Sequence, residues 1–210
     1  MSSPPGSLRE ILERARAAGF LGPGPVEAHI AHSEGFAEAA EAARGREPAS
    51  FADLGSGGGV PGLAMSVRWT AAQGVLVESG RRRSAGLRDA IASLGLERRA
   101  EVLEERAELV AQREGYRERF EVVTARSFAG PAITAEVAAG LVAVGGVLVV
   151  SEPPRSSGDR WPARELRELG FGAAEPVDRA QAHFVVLRKV ATAPERYPRG
   201  VGRPAKRPLW

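Results

Sequence analysis

Asp53-Leu54-Gly55-Ser56-Gly57-Gly58-Gly59-Val60-Pro61-Gly62 decides how this chain is read. Before it, Ala49-Ser50-Phe51-Ala52 can end a buried strand; after it, Leu63-Ala64-Met65-Ser66-Val67-Arg68-Trp69 can open a helix. The pattern is Asp-x-Gly-x-Gly-x-Gly at a strand-to-helix turn. Glycine accepts positive φ and leaves bare main chain for a ligand to lie against. A carboxylate at the strand end is a poor neighbour for a pyrophosphate and a good one for an ammonium or a ribose. Pro61 fits the first turn of the helix.

That chemistry points to S-adenosylmethionine, with Asp53, Gly55, Ser56, Gly57 and Gly59 as candidate cofactor-binding residues. Gly57 to Gly62 also satisfies G-x-G-x-x-G, the nicotinamide fingerprint. That reading requires the strand to continue through Gly55 and Ser56, which are poor strand residues. NAD is therefore not expected. A glycine-rich turn with no ligand is the plain alternative, but an Asp and five glycines in one junction are costly without one.

Glu78 follows a second apolar stretch and precedes Ser79-Gly80. Ligands of open α/β sheets bind at the carboxyl ends of strands, where this acid can take both hydroxyls of a ribose. A solvated Glu at a helix N-terminus is the bland alternative. Arg81-Arg82-Arg83 reads either as a solvated first helical turn or, beside a cleft, as cations tracking a phosphate backbone. Glu105-Arg106-Ala107-Glu108 offers main-chain groups to an adenine, or is only a charged helix start. Arg126, at another strand end, can pair with Asp53, a cofactor carboxylate or nucleic acid, or make an ordinary salt bridge. His29 and His32 read as packing or surface residues, and Phe128 as core, with stacking on a target base as its alternative.

Around these motifs apolar stretches at 51–54, 74–78, 100–103, 120–124 and 146–151 alternate with helical patterns at 61–69, 81–94, 107–112 and 131–141. Continuous apolar strands between helices imply a mostly parallel sheet covered on both faces. Two more strands, 171–177 and 182–190, follow a loop at 152–158 and a short helix at 161–169, giving about seven in a Rossmann-like α/β fold. Two helices precede the sheet, 8–18 and 26–43, the second expected to be interrupted near Gly35. The division is a helical extension at 1–45, a cofactor-binding domain at 46–190 and an extended tail at 191–210.

Lys and Arg total 29 against 26 acids, a net charge of +3. Arg188 to Trp210 alone carries +6, so the other 187 residues sum to −3 and the basic character belongs to the C-terminus. Seven basic residues spaced by Pro and Gly suit an extended strand that orders on a partner. Arg196, Arg199, Arg203, Lys206 and Arg207, with Arg82 and Arg83, are the candidate RNA contacts. Removing the tail is expected to spare cofactor binding. There are no cysteines and only three histidines, so disulfides and thiolate chemistry are excluded and no metal centre is expected. No apolar run reaches membrane-spanning length and Met1 to Gly6 is no signal peptide. A cytoplasmic location with no membrane partner is the expectation.

Taken together, these residues resemble the small-subunit ribosomal RNA guanine-N7 methyltransferases of the glucose-inhibited division B type, from about Ala28 to the C-terminus. The cofactor loop with its Val60-Pro61-Gly62, Glu78-Ser79 followed by Arg82-Arg83 and Leu87, Arg106-Ala107-Glu108 and Arg126-Ser127-Phe128-Ala129 are each similar to family motifs. So is the tail from Pro194-Glu195-Arg196-Tyr197-Pro198-Arg199 through Gly202-Arg203-Pro204-Ala205-Lys206-Arg207. The resemblance implies a class I S-adenosylmethionine-dependent methyltransferase acting on 16S ribosomal RNA or the small subunit. It also implies that Gly55, Val60, Ala107, Glu108 and Arg126 contact the cofactor. Guanine N7 carries a free lone pair, so no catalytic residue is expected and positioning is the main contribution.

The chain departs from the family where substrate would be read. No Asn-Leu-Thr motif is found near the N-terminus, His32 stands where His-x-x-Asp-Ser has its acid, and Glu152-Pro153 replaces Lys-Gly. Methylation of another RNA or a small molecule, and a non-catalytic cofactor- and RNA-binding role, are the alternatives. The basic tail argues against the small molecule.

Overall fold

The computed structural model describes residues 6–154, 156 and 159–210. Met1 to Pro5, part of the segment read as no signal peptide, and Arg155, Ser157 and Gly158 of the expected loop lie outside the described residues.

The strands are β1 (Ser50–Leu54), β2 (Gln73–Val77), β3 (Ala100–Leu103), β4 (Phe120–Ala125), β5 (Val142–Glu152), β6 (Phe171–Arg179) and β7 (Ala182–Lys189). They form one seven-stranded sheet in the order β3-β2-β1-β4-β5-β7-β6. The first five strands are parallel, and β7 runs antiparallel to both neighbours. The helices are α1 (Leu8–Ala17), α2 (Val26–Arg44), α3 (Gly62–Arg68), α4 (Arg81–Ser93), α5 (Ala107–Val110), α6 (Pro131–Ala139), α7 (Ala163–Glu168) and α8 (Arg203–Lys206).

Strand residues alternate between faces, and the sequence loads both faces with apolar side chains. On one side Phe51, Val122, Val147, Val149 and Val186 meet Phe36, Ala37 and Ala40 of α2 and Met65 of α3. On the other, Ala52, Leu54, Val123, Ala125, Leu148 and Val150 meet α5, α6 and α7. Chain order reverses between β1 and β4, so a crevice opens at their carboxyl ends, the usual ligand position in such sheets.

Three features differ from the sequence reading. Helix α2 runs unbroken through Gly35 because the glycine is a packing site: a Cβ there would meet the Phe184 ring at 2.8 Å. The N-terminal helices do not stand apart from the domain, since α2 covers the sheet and carries buried Phe36, Ala39 and Ala40. Nor does the tail wait for a partner. Tyr197 and Ala193 are buried in the main core, and Arg117 donates to the Tyr197, Ala193 and Pro194 carbonyls. Arg199 donates through its backbone N, Nε and Nη2 to the fully buried Glu136 of α6 at 2.8, 2.8 and 2.6 Å. Arg199 of this basic, Pro-rich stretch thus finds its counter-charge inside its own fold.

Candidate functional site

The loop after β1 holds three positive-φ glycines, Gly55, Gly57 and Gly59. At Gly59 a Cβ would fall 2.3 Å from Leu63, and at Gly55 it would meet the Phe128 ring at 3.0 Å. Gly55 and Gly59 are therefore required by both φ and close approach, and Gly57 by its φ. Pro61 N-caps α3.

Asp53 lies beneath this loop. Residues 51 and 53 face the same side of β1, so its carboxylate enters the core toward α3. Oδ2 accepts from the Gly62 N–H at 3.1 Å and Oδ1 from the Thr124 hydroxyl at 2.9 Å. Burial pushes its pKa up to about 6 against those hydrogen bonds. Sequence reasoning placed Asp53 among the cofactor contacts; here it fixes the start of α3 and does not line the cleft. Ser56 is likewise turned inward, its hydroxyl donating to the Asp53 carbonyl at 3.0 Å. Val60 packs with Leu12 and Val26, and Gly59 shapes the turn from behind.

The cleft itself, about 410 Å³, is lined by Gly55, Gly57, Glu78, Ser79, Ala107 and Glu108, among others. These are the expected cofactor residues, drawn from the ends of β1 and β2 and the start of α5. Glu78 is almost fully buried. Its Oε2 accepts from the Gly57 N–H at 3.0 Å and its Oε1 from the Gly80 N–H at 2.7 Å, and Arg83 lies 3.1 Å from Oε1. One carboxylate therefore ties the glycine loop to the second strand end. Glu108 accepts at Oε1 from Arg106 at 3.0 Å and from the Gly202 N–H at 3.2 Å. Burial pushes its pKa up, but these bonds outweigh it and hold the carboxyl below its usual range. Its Oε2 is buried with no hydrogen-bond partner among the described residues.

Two lining elements were not legible in the sequence as cofactor residues. Ala205 of α8 closes one side, brought there by the Arg199–Glu136 anchor. Ser127, Phe128 and Ala129 also line it, as one wall, with Ser127 at φ 52°. A positive φ in a non-glycine residue is uncommon and clusters at functional sites.

Behind that wall lies a second cleft of about 420 Å³, which shares Ser127, Phe128 and Ala129 with the first. Arg126 lines this second cleft and not the first, a correction to its expected place. Its Nη2 donates to His29 Nδ1 at 2.6 Å. Burial, then the Arg126 charge, lowers the His29 pKa, so the ring is neutral at pH 7. His29 Nε2, 3.2 Å from the Gly22 carbonyl, is the donor that leaves Nδ1 to accept. His29 thus positions Arg126, although 97 residues separate them. Burial and the same Arg126 lower His32 to about 4.

Of the candidate RNA contacts, Arg82 is exposed and sits over the Phe20 ring, and Arg196 over Tyr197. Arg203, Lys206 and Arg207 are exposed and, with Arg199, line a basic hollow of about 440 Å³. Arg199 is committed to Glu136 and is corrected to a structural residue. Among the described residues no group of three or more His, Cys, Asp or Glu is placed to hold a metal ion.

The family model of GidB, rRNA small subunit methyltransferase G, matches residues 26–154. A ribosomal RNA small subunit methyltransferase G of Pelotomaculum thermopropionicum is 34% identical over 167 residues, covering 76% of this chain and 70% of the relative. The protein of the same name from Chloroflexus aggregans is 37% identical over 169 residues, covering 77% and 70%. A putative O-methyltransferase structure from Klebsiella pneumoniae superposes with a TM-score of 0.59 at 14% identity, covering 89% of this chain and 92% of that one. The structure of PigF with SAH gives 0.59 at 16% identity, covering 86% and 59%. These structural likenesses bear on the fold alone.

Proposed function

The chain belongs to the GidB family of rRNA small subunit methyltransferases and is an S-adenosylmethionine-dependent methyltransferase; on that premise we propose that its methyl acceptor is N7 of a guanine in small-subunit ribosomal RNA. The observation that carries this is the pair of clefts meeting at Ser127-Phe128-Ala129. A donor on one side and an acceptor base on the other would come together at that wall.

The first cleft fits the cofactor. Glycines 55 and 57 offer bare main chain at positive φ, and the buried Glu108 Oε2, unpartnered among the described residues, is an acceptor in want of a donor. Glu78 and Ser79 would hold the ribose, and Ala107 and Glu108 would border the adenine. Asp53 would act through the loop it fixes. The bound cofactor supplies an electrophilic methyl on a sulfonium. The protein's own residues then have to hold a base in line with it and exclude water, which is catalysis by proximity. Guanine N7 is unprotonated at neutral pH, so no side chain need remove a proton. Arg82, Arg83, Arg196, Arg203, Lys206 and Arg207 would meet RNA phosphates.

The test uses small ribosomal subunits from a strain lacking the gene, S-adenosylmethionine and the purified protein, followed by mass spectrometry of the RNA. One new 7-methylguanosine is expected. Methylation of a different atom or base overturns the reading. Calorimetry with S-adenosylhomocysteine measures cofactor binding separately.

A further inference from the structure

We propose that the second cleft receives the target guanine and that Glu152 selects it by accepting hydrogen bonds from its N1–H and N2 amine; this rests on the methyl-transfer reading above. Glu152 ends β5, and its carboxylate is buried, with its side chain only 2% exposed, at the margin of the cleft. It is built into place. Arg160 Nη1 reaches its two oxygens at 3.2 and 3.1 Å, and the Ser156 hydroxyl donates to Oε2. A carboxylate offers roughly four lone-pair sites, and the described residues take three contacts on it.

The geometry gives a direction. The cofactor cleft is built from the ends of β1 and β2, and the shared wall follows β4. Glu152 stands one strand beyond, at the end of β5. N7 and the N1/N2 edge lie on opposite sides of a guanine. A guanine that turns N7 to the shared wall must turn its Watson–Crick edge to the β5 side, where Glu152 waits. Reaching that pocket requires an unstacked base.

The chemistry of the cleft favours guanine over adenine. Guanine presents two adjacent donors to the carboxylate, whereas adenine would set its N1 lone pair against it. Trp161, buried at the same cleft, has an Nε1–H with no hydrogen-bond partner among the described residues. A buried donor without a partner calls for an acceptor, and guanine O6 is one. Transfer of the methyl to N7 leaves the base cationic, and an anion on its far edge favours that charge. Arg160 then serves to orient the carboxylate.

Inosine provides the test, because it keeps N7, O6 and N1–H and lacks the N2 amine. Small subunits from the deletion strain first identify the methylated nucleotide. Subunits reassembled on 16S RNA carrying inosine there give the comparison. The wild-type protein should prefer guanine over inosine by roughly tenfold in kcat/KM, as expected for one charge-assisted hydrogen bond. Glu152→Gln should lower kcat/KM on guanine by roughly tenfold to a hundredfold and bring the guanine-to-inosine ratio close to one. Its affinity for S-adenosylhomocysteine should not change. A merely structural role for Glu152 would lower activity and leave that ratio alone, and this result overturns the proposal. Equal kcat/KM on the two bases by the wild-type protein overturns it without recourse to any variant. If the wild-type protein methylates no ribosomal RNA at all, the methyl-acceptor reading fails and this proposal falls with it.

Discussion

Arg199→Ala separates the two roles open to the basic tail. The Glu136 carboxylate is fully buried and takes three hydrogen bonds, all from Arg199. The variant keeps the backbone N–H bond and removes the two from the guanidinium, leaving a buried anion with no counter-charge. Breaking a buried pair in this way costs about 3–5 kcal/mol. Arg199 keeps 24% of its side chain exposed, so water screens part of the loss and the lower end, about 3 kcal/mol, applies. In a domain of this size that lowers Tm by roughly 6–12 °C. The same anchor seats Ala205 at the cofactor cleft and Gly202 on Glu108, so affinity for S-adenosylhomocysteine should fall as well. Thermal unfolding and calorimetry measure the two. Replacing both partners by apolar residues, Glu136→Leu with Arg199→Met, should recover most of the stability, because neither charge is then stranded. RNA binding by Arg199→Ala should keep its salt slope. An unchanged Tm with a slope shallower by about 0.7–0.9, one phosphate contact, would refute the anchor and return Arg199 to the RNA surface.

Three further outcomes follow from the loop. Asp53 titrates at about 6 in the fold and near about 4 when unfolded. The folded state therefore binds more protons between those values, and stability falls as pH rises from about 4 to about 6 and then levels off. Asp53→Asn should remove that slope, up to about 1.4 kcal/mol per pH unit, in urea unfolding at a series of pH values; identical slopes would clear Asp53 of the effect. Gly59→Ala forces a Cβ to within 2.3 Å of Leu63 at a φ of 100°. It should cost about 2–3 kcal/mol by urea unfolding and weaken cofactor binding; wild-type stability would show that the loop yields. Glu78→Gln turns an amide donor toward the Gly57 or Gly80 N–H. Cofactor affinity should fall by roughly tenfold or more on calorimetry, and an unaltered Kd would deny Glu78 its hold on the loop.

Much of this architecture could be read along the chain because its determinants are local. Buried parallel strands are continuous apolar runs, and glycine punctuates them, so all seven strands fall near their expected positions. The residues gathered in the first cleft could be picked out for a related reason: they sit at strand ends, next to the motifs that end the strands. What escaped depends on which way a side chain turns and on what arrives from far away. Asp53 was placed in the cleft by its position in the loop, but strand alternation sends it to the α3 side, where Gly62 and Thr124 take it. Gly35 looked like a helix breaker, and only the distant Phe184 shows why a glycine is needed inside α2.

The packing of the tail escaped for the same reason. Counting cations along residues 188–210 gave +6 and an RNA-binding tail. The count could not see that Glu136 and Glu108, 63 and 94 residues earlier, receive that tail. The consequence reaches function. Arg203, Lys206 and Arg207 remain exposed on a segment whose other side closes the cofactor cleft through Ala205. The exposed cations and the cleft-lining Ala205 therefore belong to one short segment, fixed to α6 by Arg199. The tail is thus packed along the first cleft and carries its positive charge outward from there, rather than extending as a free arm.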